Sequence, residues 1–119
     1  MPTLSIITNL PKHKVPSSFL ADASHMLSQK LNVHEGHVIV KIKAAQPMHW
    51  FMDESLCGIG SLSGTGIYGL EENKKNSAFI FDFIEKELGI PQNRLYISFV
   101  DQKPSNVGVQ RTTLEEILQ

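Results

Sequence analysis

Leu31-Asn-Val-His-Glu-Gly-His-Val-Ile-Val-Lys-Ile-Lys43 and, 57 residues further on, Leu88-Gly-Ile-Pro-Gln-Asn-Arg-Leu-Tyr-Ile-Ser-Phe-Val100 share almost no identities but a single pattern. Each opens on the last apolar residue of a helical repeat and passes through Asn32 or Gly89, residues that tolerate the left-handed backbone of a helix end. Each then enters a two-residue alternation, Val38, Val40, Ile42 in the first and Leu95, Ile97, Phe99 in the second, which predicts a strand. The strands are read as His37 to Lys43 and Leu95 to Val100.

Working back from each segment gives the helix before it. Phe19, Leu20, Ala23, Met26, Leu27 and Leu31 keep a 3.6-residue period after a cap at Ser17 or Ser18, and Ile80, Ile84 and Leu88, beside Phe79 and Phe83, do so over Asn73 to Leu88. Further back, Thr3 to Thr8 and Leu56 to Leu62 read as strands, and Ala44 to Ser55 as a loop between the halves. The fold class predicted is α/β (α+β): two pseudo-repeated β-α-β units, a four-stranded mixed sheet of ferredoxin-like type, and both helices on one face. The other sheet face is then bare, yet Ile7, Ile39, Tyr96 and Val100 point to it, so a second copy of the chain is expected to cover it.

At 119 residues the chain suits a single domain, taken as residues 1–119. Eleven Lys and Arg against 12 Asp and Glu leave a net charge of −1, which disfavours nucleic-acid binding by bulk charge. The lone Cys57 excludes an internal disulfide framework and a CxxC centre, and His13, His25, His34, His37 and His49 lack a helical metal-ligand spacing, so no metal is expected. No apolar run approaches the roughly 18 residues of a membrane span, so a soluble protein made without a cleaved signal is expected.

Gly64-Thr-Gly66-Ile-Tyr-Gly69 matches the GxGxxG pattern of dinucleotide sites. With the helix expected to begin near Asn73, its amide end falls too far from the glycines to receive a pyrophosphate, and the acid about 20 residues on, Glu85 or Glu87, lies inside the helix. The run reads as a glycine-rich connection, and no cofactor is expected.

Pro2 carries the sharper chemistry. Removal of Met1, which a small second residue permits, would leave a secondary amine whose ordinary pKa is about 7.7–8 and which burial lowers. Such an amine is neutral near pH 7 and can move a proton between carbon and oxygen of a keto–enol pair. Many chains begin Met-Pro for no catalytic reason, so on the pair alone the non-catalytic reading is preferred.

Met1-Pro2, Thr8-Asn9-Leu10-Pro11, Val15-Pro16, Ser77-Ala78, Lys86-Glu-Leu-Gly-Ile-Pro91, Asn93-Arg-Leu-Tyr-Ile97, Asp101 and Val107-Gly108, in that order and spacing, resemble the macrophage migration inhibitory factor and D-dopachrome tautomerase family over essentially the whole chain. The run from Ser77 to Leu88, and the lack of a second Cys three residues after Cys57, are closer to the D-dopachrome tautomerase branch. The resemblance implies a homotrimeric barrel, with active sites between subunits, that tautomerises phenylpyruvate-like or dopachrome-like aromatic substrates without a cofactor. It implies Pro2 as base and Thr65, Tyr96, Ser98, His37 and Val107 at substrate-binding positions. The lysine that the family uses to hold a substrate carboxylate is Val33 here, and Thr65, Ser98, His37 and Trp50-Phe51-Met52 also depart from the usual residues. Two functions follow: a tautomerase with a rewritten pocket, or a cytokine-like secreted protein with weak or no turnover that acts through a cell-surface receptor. The resemblance places the chain in the cytoplasm and, without a signal peptide, outside the cell, with no nucleic-acid partner and no membrane insertion.

Overall fold

The computed structural model describes residues 1–66 and 68–118. Its main sheet holds β1 (Thr3–Thr8), β2 (Ile39–Lys43), β3 (Gly58–Gly64) and β4 (Leu95–Asp101) in the order β2-β1-β3-β4. β1 and β2 run parallel, as do β3 and β4, while β1 and β3 meet antiparallel at the centre. Helix α1 (Phe19–Leu31) links β1 to β2, and α2 (Leu70–Leu88) links β3 to β4. Both β-α-β units are therefore present. The ferredoxin-like expectation needs correction, because there each parallel pair is split by a strand of the other unit, whereas here the two strands of each unit hydrogen-bond directly to one another.

Alternation in β1 decides which face is covered. Leu4, Ile6 and Thr8 are buried beneath the helices, with Leu62 and Leu95 beside them on the same face. From α1 come Phe19, Ala23 and Leu27, and from α2 Ile80, Ile84 and Leu88, each set spaced at three or four residues. The Phe19 and Phe83 rings meet at 5.8 Å where the helices touch. Thr8 is polar and wholly buried, and stays satisfied: its hydroxyl donates to the Cys57 carbonyl at 2.6 Å and accepts from the Leu10 N–H.

Both helices end as their sequences predict. Asn32 (φ 55°) and Gly89 (φ 73°) adopt the left-handed conformation, and the Val33 N–H closes back on the Ser28 carbonyl at 3.1 Å. Val33 is thus a half-buried residue fixed by a helix cap, as Ile90 follows the second cap fully buried.

Several boundaries move, that of β4 only from Val100 to Asp101. β2 begins at Ile39, and His37 lies before it in a short 3-10 turn, Glu35–His37. β3 begins at Gly58, after Cys57, and runs two residues beyond Leu62. Helix α2 begins at Leu70 directly after Gly69, not near Asn73, so the glycine run does abut a helix start. Ile67, inside that run, lies outside the described residues. Distance is then no objection to a phosphate there, but charge is: Glu71 and Glu72 occupy the first turn and already complement the helix dipole. With Glu85 and Glu87 still inside α2, the dinucleotide reading stays rejected.

The C-terminal segment forms a two-stranded ribbon, β5 (Gly108–Val109) with β6 (Thr112–Thr113), and a last turn of helix, α3 (Leu114–Leu118). Among the described residues no helix is long and apolar enough to cross a membrane.

Candidate functional site

Pro2 sits just ahead of β1 and is buried. Its carbonyl accepts from the Ile39 N–H at 3.0 Å, which extends the β1–β2 ladder by one step and fixes the ring at the sheet end. On the other side lies Gly64, the last residue of β3. A Cβ on Gly64 would stand 3.4 Å from Pro2 Cα and 3.3 Å from the Tyr68 hydroxyl oxygen, so both groups border the side of Gly64 where a side chain would project. The Tyr68 hydroxyl donates to the Leu62 carbonyl at 3.1 Å. Burial, and then the negative charge of Asp101, push its pKa up to about 12.

Thr65 follows at the same end, half-buried. It lines a cleft with Gly66, Gln102, Lys103, Pro104 and Leu118, closed at its base by the Gln102 N–H bonded to the Gly64 carbonyl at 2.7 Å. His37 is exposed, its ring 5.3 Å from that of His34, two residues before the Ile39 N–H that holds Pro2. Val107 is half-buried, and its carbonyl accepts from Leu114 N–H at 2.8 Å, tying α3 to the turn before β5.

Tyr96 and Ser98 stand elsewhere. They project from β4 onto the open sheet face and line a hollow of about 360 Å³ with Ser5, Ile7, Ile59 and Ser61. Cross-strand register places Tyr96 opposite Ile59, and Ile59 opposite Ile7, whereas Thr3 lies opposite Ser63. Pro2 and Tyr96 are therefore separated by five strand positions, about 17 Å along the sheet at a strand's usual rise. One protomer thus gathers Pro2 and Thr65 at one end and Tyr96 and Ser98 on the open face, and does not unite the two groups.

Two functional candidates escape the sequence reading. Tyr68 looks like a loop residue in a glycine run, and only the fold brings its hydroxyl to the Leu62 carbonyl and to the side of Gly64 that Pro2 Cα also borders. Arg94 looks like a turn residue, yet it binds three carbonyls of the loop between β2 and β3: Leu56 at 3.0 Å, Ser55 at 3.0 Å and Trp50 at 3.3 Å. That loop carries Trp50 onto Tyr96, with ring centroids 4.7 Å apart. Among the described residues no group of three or more His, Cys, Asp or Glu side chains is placed to hold a metal ion.

The comparisons with known proteins agree with this geometry. A family model described as macrophage migration inhibitory factor matches residues 1–115. A macrophage migration inhibitory factor homolog of Trichuris trichiura is 34% identical over 113 residues, covering 95% of this chain and 99% of its own length. The macrophage migration inhibitory factor of Xenopus tropicalis is 32% identical over 113 residues, with 95% and 98% covered. The solved structure of the macrophage migration inhibitory factor from Trichinella spiralis superposes with a TM-score of 0.90 at 32% identity, over 93% of this chain and 98% of that one. The chain belongs to the macrophage migration inhibitory factor family.

Proposed function

We propose that this protein is a keto–enol tautomerase for small aromatic keto acids or dopachrome-like compounds, acting as one domain with the Pro2 amine as its base once Met1 is removed. The observation that carries the reading is the burial of Pro2 between the β2 end and Gly64, with its carbonyl tied to Ile39. Burial disfavours the ammonium form, so an amine there is neutral at physiological pH and ready to accept a carbon-bound proton. Thr65 lies at the same end and supplies backbone and side-chain polar groups, and His37 and Val107 are the further substrate-binding positions of this reading.

Tyr96 and Ser98 join this site only from another copy, since register holds them far from Pro2 in their own protomer. The same step explains the open face, where Ile7, Ile39, Ile59, Tyr96 and Val100 remain exposed on a single protomer. A homotrimeric barrel covers that face and completes the site.

Val33 favours weaker binding of acidic substrates than in relatives with a lysine there. It is an apolar residue held in a helix cap, and loss of one charge-assisted hydrogen bond costs about 1.5–3 kcal/mol, or roughly ten- to a hundred-fold in affinity. This supports the second reading: a cytokine-like protein of the D-dopachrome tautomerase branch, present in the cytoplasm and outside the cell, that acts mainly by binding a receptor.

The test compares wild type and Pro2→Gly, each checked by intact mass for Met1 removal, on p-hydroxyphenylpyruvate and on dopachrome methyl ester. A loss of at least a hundred-fold in kcat/KM is expected. Equal rates in the two proteins would refute the catalytic reading and leave the binding one.

A further inference from the structure

We propose that the cleft between the end of β3 and the turn after β4 binds small organic carboxylates with an apolar body, and that Lys103 is the cation that selects them. Binding rests on the cleft alone; only its use as the acid-selective part of a tautomerase site rests on the reading of Pro2 as the base. The cleft has a volume of about 510 Å³, within the range of small-molecule sites, and Thr65, Asp101, Lys103, Pro104 and Leu118 line it. Its walls differ in chemistry. Pro104 and Leu118 are apolar, and Leu118 keeps 65% of its surface exposed, so a hydrocarbon body laid on them removes apolar area from water. Thr65 adds a hydroxyl and Lys103 an ammonium. Thr65 also follows Gly64, the residue whose side-chain position borders Pro2 Cα, which puts the cleft at the same sheet end as the proline.

Lys103 is held by its backbone and free at its tip. Its carbonyl accepts from the Asn106 N–H at 2.8 Å, and Pro104 opens the 3-10 turn Pro104–Asn106 directly after it. The residue before it is fixed too, by the bond from Gln102 N–H to the Gly64 carbonyl at 2.7 Å. Among the described residues the Lys103 side chain makes no ion pair and no hydrogen bond, so an anion entering the cleft breaks no existing pair. Asp101 is the opposing charge on the lining. It stands at the register level of Gly64, and its field reaches the Tyr68 hydroxyl, so its charge acts at the β3 end of the cleft. Repulsion there turns a carboxylate toward Lys103 and penalises a ligand with a second negative group. The ligand class follows: a single carboxylate on a body apolar enough for Pro104 and Leu118.

The test measures binding by isothermal titration of 3-phenylpropionate, and of 3-phenylpropanamide as its uncharged counterpart, into wild type, Lys103→Gln, Lys103→Arg and Lys74→Gln. Lys74 lies on α2 outside the cleft lining and pairs with Glu71 at 3.5 Å, so its variant removes the same charge from another place. Wild type is expected to prefer the acid by about three- to ten-fold, as suits an ammonium partly screened by water. Lys103→Gln should lose that preference and Lys103→Arg keep it, with the affinity for the amide unmoved in both. Equal wild-type affinity for acid and amide, no binding of the acid, an unaltered preference in Lys103→Gln, or an equal loss in Lys74→Gln each overturns the proposal. A second readout joins the cleft to catalysis. On p-hydroxyphenylpyruvate Lys103→Gln should raise KM by the same factor at unchanged kcat, while KM for dopachrome methyl ester, whose carboxyl carries no charge, stays the same. If wild type and Pro2→Gly turn over alike, the tautomerase reading fails and the titrations still decide the site.

Discussion

Arg94 and Asp53 form an ion pair at 3.0 Å across the base of the loop between β2 and β3, with the arginine side chain only 13% exposed. The same guanidinium donates to three loop carbonyls and lies 5.7 Å from the centre of the Trp50 ring. This matters because the loop tip is strained: Phe51 and Met52 both have positive φ, 54° and 67°, and both project into solvent. One planar fork therefore fixes the backbone that sets Trp50 against Tyr96.

Arg94→Lys is expected to lose about 1–3 kcal/mol of stability, since a lysine cannot serve three divergent carbonyls from one short-range geometry. Urea unfolding measures the loss. Limited proteolysis should locate new cleavage between residues 50 and 55. An unchanged pattern would mean that Asn9, which also binds the Glu54 and Ser55 carbonyls and the Cys57 N–H, holds the loop alone.

Asp53 adds an acid limb to the same loop. The Ser55 hydroxyl and N–H, and then Arg94 and His49, hold its carboxyl below the ordinary value of 3.8. A depressed carboxyl contributes stability that is present above its unfolded value and lost as pH falls through the folded one. Trp50 fluorescence is expected to hold steady at mildly acidic pH and to change only below about pH 4, with Asp53→Asn removing that transition.

Gly60 and Gly66 should respond very differently to alanine. Gly60 lies opposite Ile6 in the central antiparallel pair, and its added Cβ would stand 2.5 Å from the Ser5 carbonyl oxygen and 2.7 Å from Ile6 Cδ1. Backbone on one side and a buried side chain on the other leave no room to yield, so a cost of about 3 kcal/mol or more is expected. Gly66 has open space around it but a φ of +75°, and its alanine variant should lose only about 1 kcal/mol. Equilibrium unfolding of the pair separates steric from conformational cost.

The open sheet face supplies a test of assembly. Ile59 is 44% exposed and sits between Ile7 and Tyr96 in cross-strand register, at the middle of the apolar rows. Ile59→Lys leaves the buried core untouched, so the protomer should keep its fold while sedimentation equilibrium shows the mass falling from that of the proposed trimer toward that of one chain. A wild-type protein that already sediments as a monomer would remove the basis for a site shared between copies.

What the sequence disclosed was local. The stops at Asn32 and Gly89, the alternation of Val38 to Ile42 and of Leu95 to Phe99, and the stripe of Phe19, Ala23, Met26, Leu27 and Leu31 all depend on neighbours within a few residues and appear in the structure, whereas Leu20, read into the same stripe, is exposed. The start of α2 was missed because Asn73 is a better intrinsic cap than Gly69; two acids in the first turn carry the helix back to Leu70. Exposed Ile7, Ile39, Tyr96 and Val100 were legible from parity alone. The contacts of Arg94 with residues 38 to 44 positions away, and the approach of Tyr68 to the side of Gly64 that Pro2 Cα also borders, were not, because each arises only after β1, β3 and β4 are in register.

Tyr68 also governs behaviour at high pH. Its folded pKa near about 12 lies above the ordinary value of 10.0, with burial the larger cause and Asp101 the second. A raised phenol favours the protonated form in the native state, so its contribution is complete below pH 10 and is lost as pH rises toward 12. Ionisation there would place a phenolate against the Leu62 carbonyl, which has no hydrogen to offer it, beside the Asp101 charge. Wild type is expected to lose stability across that interval, with a phenolate absorbance step that coincides with unfolding. Tyr68→Phe should lack that step and flatten the alkaline limb of a plot of thermal midpoint against pH. If both proteins follow the same alkaline limb, Tyr68 is ionising freely in the native state, and the enclosed hydroxyl described here does not persist in solution.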